Sequence, residues 1–463
     1  MDEKTQGQLL SEKLVYKNKS AFETKNADKE TVNAYCEGYK KFLDNGKTER
    51  EVVTESNAMI EKEGYKSYKI GDKLEKGGKY YLNNRGKSLF MFRIGTESIE
   101  NGIRITASHI DSPRVDFKPQ PLFEDSELCF FKTHYYGGIK KYQWVATPLS
   151  LHGVICKPDG DVNVCIGEDE SDPVFYISDL APHLAQLQYQ KHVGEAITAE
   201  QLNILAASEP YDDEKVSDKV KLTVLSTLNE KYGCTEADLI SSELCAVPAT
   251  KARDIGFDRS MIGSYGHDDR VCAYPSITAM LESVDSPHTL LNIIADKEEV
   301  GSDGVSGMQC ALLADLIEEI AIALGGNPRV VRANSKCLSA DVNVAYDPNF
   351  PEVFERRNTA YLNHGVVLSK YTGSRGKSGT SDAAAEFVSF VTNTFNENGV
   401  DWQMAELGKV DLGGGGTVAK FIANNNIDVI DLGVPVISMH APYELVAKYD
   451  VYMVHKAVKA FYK

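Results

Sequence analysis

From about residue 250 onward the chain alternates short apolar runs with longer amphipathic ones: residues 290–295 then 304–324, 365–371 then 381–395, and 429–438 then 443–461. Short β-branched runs read as strands and the segments between them as helices, and this alternation folds as an α/β layer structure with much parallel sheet. The constraint is strong, because the connecting helices of a parallel sheet must cover both of its faces. In such a sheet ligands bind in the crevice outside the carboxyl ends of the strands, so acids and histidines placed just after strand runs need a reason for being there.

The N-terminal part carries the same texture. Val32, Tyr35, Cys36, Tyr39, Phe42 and Leu43 lie on one face of a helix that Gly46 can stop, and strand-like runs follow at 88–94 and 103–107. The second run leads into His109, Asp111 and Pro113, which puts His109 at a strand end. Residues 114–249 differ, with strand-like runs at 149–156 and 174–177 and an acidic loop at 209–214. The expected organisation is a discontinuous α/β domain, residues 1–113 and 250–463, interrupted by an inserted, mainly β domain at 114–249. A chain of 463 residues also exceeds what one core usually organises.

Charge and cysteine usage exclude several classes. Lys and Arg total 50 against 67 Asp and Glu, a net charge of −17, which repels nucleic acid and anionic membrane surfaces. No run of 18 apolar residues occurs, and the first residues contain no apolar core of a signal peptide, so a cytoplasmic chain is expected. The nine cysteines, at 36, 129, 156, 165, 234, 245, 272, 310 and 337, contain no C-x-x-C pair. They are expected to be reduced and mostly buried. Neither H-E-x-x-H nor G-x-S-x-G is present, which removes the single-zinc helix protease and the serine hydrolase elbow.

Five segments place acids or histidines where a crevice would be: His109 with Asp111, Asp268 with Asp269, Glu298 with Glu299, Asp341, and His440. Each alone has an ordinary structural explanation. Together, two histidines and three carboxylates can hold two divalent metals about 3.5–4 Å apart, leaving Glu298 as a proton acceptor. On extended backbone, neighbouring Glu298 and Glu299 would point apart, one to a metal and one to the attacking water. The i, i+2 spacing of His109 and Asp111 suits a carboxylate that orients the ligand histidine by bonding its free ring N–H.

The segments SHIDSP, GHDDRV, ADKEEVGS, LSADVNVAYDPNF, DLGGGGT and ISMHAPYE, in this order, resemble the M18 family of metallo-aminopeptidases, the aspartyl aminopeptidase and aminopeptidase I group. The resemblance runs from about residue 21 to 461. It implies a mixed, largely parallel sheet flanked by helices, of the co-catalytic zinc peptidase type, with a dimerisation domain at about 114–249. It further implies two divalent metal ions, zinc first and cobalt or manganese as alternatives, with His109 and His440 as terminal ligands and Asp268 bridging. Glu299 and Asp341 complete the ligand set, Glu298 is the general base, and the subunits assemble through dimers into a tetrahedral dodecamer. The implied activity is removal of N-terminal residues from peptides, with a broad-specificity or Leu-preferring aminopeptidase and a deacylase or carboxypeptidase as alternatives.

Two positions depart from the family pattern. Asp269 stands where many relatives have Asn, and in residues 181–190 only His183 remains of two histidines, Leu187 occupying the second position. Lys370, Arg375 and Lys377 form a basic segment that could receive an acidic substrate side chain, the one feature hinting at Asp or Glu preference. Residues 414–419 formally match a dinucleotide glycine pattern but lie too near the C-terminus for a paired βαβαβ domain. Gly415 and Gly416 are expected to line the substrate cleft with backbone close to a peptide.

Overall fold

The computed structural model of the chain describes residues 4–463. Its largest sheet has nine strands, in the order Lys66–Ser67, Lys79–Asn84, Ser88–Arg93, Thr289–Ala295, Ile103–His109, Lys336–Ala340, Asp428–Gly433, Val366–Ser369 and Trp402–Met404. The centre, from Thr289–Ala295 to Asp428–Gly433, is parallel, and antiparallel neighbours flank it on both sides. Every position of Thr289–Ala295 is buried, which is why it reads as one apolar run without alternation. Its side chains divide by parity between the two faces. Leu290 and Ile294 pack with helices Lys29–Asn45, His267–Glu282, Ala385–Glu397 and Lys448–Phe461, whereas Leu291, Ile293 and Ala295 pack with Leu312–Ala323 and Ala419–Ala423.

A second sheet of seven antiparallel strands is built wholly from residues between Arg114 and Pro248. It has its own core, in which Val115, Trp144, Leu149 and Val247 pack with Val220 and Val224 of helix Lys219–Tyr232. A third sheet joins Arg253–Ile255, Met261–Ser264, Glu444–Ala447, Pro435–Ile437 and Asn343–Val344. All nine cysteines are free thiols; six are buried, Cys156 and Cys165 are exposed and Cys310 is intermediate. Among the described residues no helix is long and apolar enough to cross a membrane.

Three elements differ from the periodicity reading. The run at 429–438 is two strands in two sheets, Asp428–Gly433 and Pro435–Ile437. At Gly433 a Cβ would sit 1.6 Å from the carbonyl oxygen of Asp341, so only glycine fits where the chain passes between sheets. Residues 444–447 form a strand ahead of the helix, since a short apolar run has no local signature separating strand from helix and pairing with Met261–Ser264 decides it. The helix expected from 304 begins only at Leu312, because Gly304 has φ +88° and Gly307 packs against the Ser302 carbonyl, both incompatible with a regular turn there.

Candidate metal centre

Parallel register brings the strand ends together. His109 closes its strand opposite Ala295, Asp341 follows Ala340 on the other neighbour, and Glu298 and Glu299 follow the Thr289–Ala295 strand. Asp268 and Asp269 lie at the start of helix His267–Glu282 with non-helical backbone angles and a cis peptide between them. His440, with φ +66°, sits in the turn joining Pro435–Ile437 to Glu444–Ala447.

The side chains converge around Asp268. Its Oδ1 lies 3.1 Å from His109 Nε2, and its Oδ2 lies 3.1 Å from His440 Nε2. Asp341 Oδ1 is 3.7 Å from His109 Nε2, and Glu299 Oε2 is 3.4 Å from His440 Nε2. By their nearest histidine the donors fall into two adjoining sets, His109 with Asp341 and His440 with Glu299; Asp268 faces both, and Glu299 also lies close enough to group with His109 and Asp268. Glu298 belongs to the first neighbourhood, grouped with His109 and Asp341.

Asp111 organises one side of the centre. Its Oδ1 accepts the Glu298 N–H at 3.1 Å, and its Oδ2 accepts the Glu299 N–H at 3.2 Å and the Tyr136 hydroxyl at 2.8 Å. His109 Nδ1 bonds the Asp111 backbone carbonyl at 3.0 Å, with the Asp111 carboxylate at 3.3 Å. The expected orienting contact is therefore made chiefly by the main chain. The expectation that Glu298 and Glu299 diverge on extended backbone is corrected. They lie on a 3₁₀ turn, Glu298–Val300, bracketed by left-handed Lys297 and Gly301, because Asp111 gathers both of their N–H groups to one carboxylate.

The sequence reading missed the contribution of the 114–249 segment. Strand Leu128–Tyr136 supplies Tyr136, then turns at Gly137, φ +71°, where a Cβ would press on Glu299, and Gly138 offers its carbonyl to His440 Nδ1 at 2.7 Å. No spacing rule could have found contacts between residues 302 positions apart. Glu444 was also missed, although it stands four residues after His440 in the quoted ISMHAPYE motif.

Electrostatics fit a cation here. Burial, and then the charge of Asp268, hold Glu299 well above the usual carboxylate range, while burial followed by Asp341 pushes Glu298 up to about 8. Burial opposes charge on His440, but Asp268 and Glu299 push it up to about 10. Asp268 Oδ1 and Glu299 Oε1 are buried with no hydrogen bond, the condition a bound metal relieves. Asp269 is fully buried, its Oδ2 accepting the His109 N–H at 3.4 Å. By contrast, burial lowers neighbouring His267 to about 3, and it bonds Tyr39 Oη and the Ile262 carbonyl as a neutral structural ring.

Among the described residues, no hydrogen bond or ion pair links the remaining expected site residues to this cluster. Lys377 Nζ is 2.8 Å from Asp382 and 3.7 Å from the Tyr371 ring centre, and Lys370 is 4.0 Å from the same Asp382. Arg375 is exposed. Gly414–Gly415 pairs with Gly373–Ser374, so the glycine loop and the basic segment form one ribbon, with Gly416 just beyond it. His183 is exposed on the turn Pro182–Leu184, and Leu187 is exposed as well. A further group of metal-type donors, Glu51, His152 and Cys165, adjoins Glu168, which is already paired with Lys47 at 2.7 Å and Lys251 at 2.6 Å.

An α/β sheet with histidines and carboxylates gathered beyond its strand ends has the donor set of a metallohydrolase, and sequence comparison makes the class specific. The family profile described as "Aminopeptidase I zinc metalloprotease (M18)" matches residues 42–462. The chain belongs to the M18 family of aminopeptidases, which are zinc metalloproteases. It is 49% identical over 445 residues to a probable M18 family aminopeptidase 1 of Clostridium acetobutylicum, covering 94% of this chain and 96% of that one. The crystal structure of an M18 aminopeptidase from Thermotoga maritima superposes with a TM-score of 0.93 at 40% identity, over 97% of this chain and 100% of that one. At 24% identity the fold is shared with the S. cerevisiae mApe1 dodecamer, TM-score 0.76, over 93% of this chain and 97% of that one.

Proposed function

We propose that this M18 enzyme releases single N-terminal residues from peptides at a centre of two divalent cations, zinc ions in the first instance, with cobalt and manganese chemically acceptable to the same donors. The observation that carries this reading is the double reach of Asp268, 3.1 Å from His109 through one oxygen and 3.1 Å from His440 through the other. One ion would be held by His109, Asp341 and Asp268, and the other by His440, Glu299 and Asp268. When bound, the metals polarise the scissile carbonyl and acidify the attacking water. Glu298 takes that water's proton and returns it to the leaving amine. Asp111 keeps Glu298 in place by accepting its N–H and keeps the His109 ring oriented. The free α-amino group of the substrate is recognised within the same carboxylate-rich cluster, which makes the enzyme exo-acting.

A preference for acidic residues belongs to this proposal. Beside the glycine ribbon is a cavity of about 290 Å³ lined by Tyr371, Arg375, Lys377, Lys409 and Gly414. Asp382 already pairs with Lys377, which leaves Arg375 and Lys409 as the groups best placed to receive a carboxylate. Residues 114–249, with their own sheet and core, are proposed as a dimerisation domain inserted between 1–113 and 250–463, and a tetrahedral dodecamer as the assembly. The fold shared with the S. cerevisiae mApe1 dodecamer supports dodecameric assembly. Chelator-stripped protein given zinc should hydrolyse Asp- or Glu-anilides with a free amino group and leave the N-acetylated forms intact. Preference for Leu-anilide would reject the acidic specificity, and cleavage of the acetylated forms would reject the exo-acting reading.

A further inference from the structure

Glu444 opens the strand Glu444–Ala447 and is 1% exposed. On a strand facing a core, an apolar residue is the default, and a buried carboxylate is unfavourable unless donors surround it. No Lys, Arg or His pairs with it among the described residues. Its donors are instead two backbone amides: Oε1 accepts the His440 N–H at 2.7 Å, and Oε2 accepts the Asp268 N–H at 3.1 Å. Strand register explains the reach. Ser264 pairs with Glu444, so the segment running from Ser264 into Asp268 passes beside it, while His440 stands four residues earlier on the adjoining turn. One carboxylate therefore clasps the main chain of two residues that the proposed function makes ligands of the same metal. Asp111 likewise gathers the N–H groups of Glu298, the proposed base, and Glu299, a proposed ligand.

We infer that Glu444 is a positioning residue for the His440 metal position, setting the distance between His440 and Asp268 and hence chiefly the affinity of that position. The inference rests on the two-metal reading above. His109 has independent support, since it ends a paired strand and is held by Asp111. His440 lies on a turn, where, besides the carboxylates of Asp268 and Glu299 facing Nε2, its ring is tied by Nδ1 to the Gly138 carbonyl. Loss of the clasp should loosen His440 and leave the His109 position nearly as it was.

The test is Glu444→Gln, which keeps the shape and one acceptor oxygen but sets an N–H₂ against one of the two amide donors, together with Glu444→Leu, which fills the space without any acceptor. Zinc alone is titrated in competition with a chromophoric chelator, and the visible absorption of the cobalt-substituted proteins is recorded. Glu444→Gln should retain one zinc at wild-type affinity and bind the second about 10–100-fold more weakly. The cobalt spectrum should change by one site, and kcat should fall more than KM rises. Glu444→Leu should lose the second ion further, although a merely structural role predicts that this variant binds both. Should Leu fail to fold, Glu444→Asp, too short to reach both amides, replaces it with the same expected loss. Two zinc ions at unchanged affinity in Glu444→Gln would overturn the inference and leave the two-metal reading standing. Fewer than two in the wild-type chain would instead overturn that reading.

Discussion

At the scale of single residues, the site works by giving chemically identical side chains different neighbours. Glu298 and Glu299 are adjacent, yet Glu299 Oε2 lies 3.4 Å from His440 while Glu298 groups with His109 and Asp341. A base must keep a free carboxylate oxygen, so Glu298→Gln should leave zinc content unchanged and lower kcat by roughly 10²–10⁴-fold. Metal analysis beside steady-state kinetics checks this, and loss of an ion would make Glu298 a ligand instead. The strand-end positions of His109, Glu299 and Asp341 were legible because a strand run followed by an acid or histidine is a local pattern. Tyr136 and Glu444 were not, because an isolated tyrosine and one more acid in a chain with 67 carry no pattern of their own.

Among elements, two junctions decide whether the centre holds its shape. Asp341 follows a strand whose neighbour ends at Gly433, and the Asp341 N–H bonds the Leu432 carbonyl at 2.8 Å. Gly433→Ala would put a methyl group 1.6 Å from the Asp341 carbonyl oxygen, so the two strand ends must part. The expected result is a destabilisation of about 1–3 kcal/mol with weaker zinc binding, read from thermal melting and chelator competition. A variant with wild-type melting and zinc affinity would mean the strands yield without moving Asp341.

The second junction is His152, on strand Leu149–Ile155, which reaches Glu51 of helix Glu49–Lys62 at 2.7 Å and Glu168 at 3.1 Å. Burial alone would lower this imidazole, but Cys165, Glu168 and Glu51 push it up to about 11. Its unfolded value is about 6.5, so its stabilisation is complete below that and is lost as pH rises toward 11. In urea unfolding, the advantage of wild type over His152→Gln should be largest near about pH 6 and shrink steadily toward alkaline pH. A difference independent of pH would show that His152 is neutral in the folded chain.

For the whole molecule, the centre is where three sheets meet. The nine-stranded sheet contributes His109, the five-stranded sheet leads into Asp268 and His440, and the seven-stranded sheet delivers Tyr136 and Gly138. The stripped protein holds Asp268, Asp269, Glu299 and Asp341 close together, and a ligand bound only by the folded state stabilises it by about 2.7 kcal/mol at 100 times its Kd. Zinc should therefore raise the melting temperature by a few degrees, and magnesium, which prefers all-oxygen octahedral sites, should not. Equal melting with and without zinc would remove the metal from the folding equilibrium. By itself the sequence determined the α/β layering, the change of texture at 114–249 and the strand-end acids and histidines, because hydrophobic period and residue type are local properties. Only the tertiary structure decided that 429–438 splits between sheets, that Glu298 and Glu299 share a turn, and that Asp111 and Glu444 gather the backbone around the proposed ligands. Those outcomes depend on strand register and on hydrogen bonds between residues far apart in the chain, and neither leaves a trace in local composition.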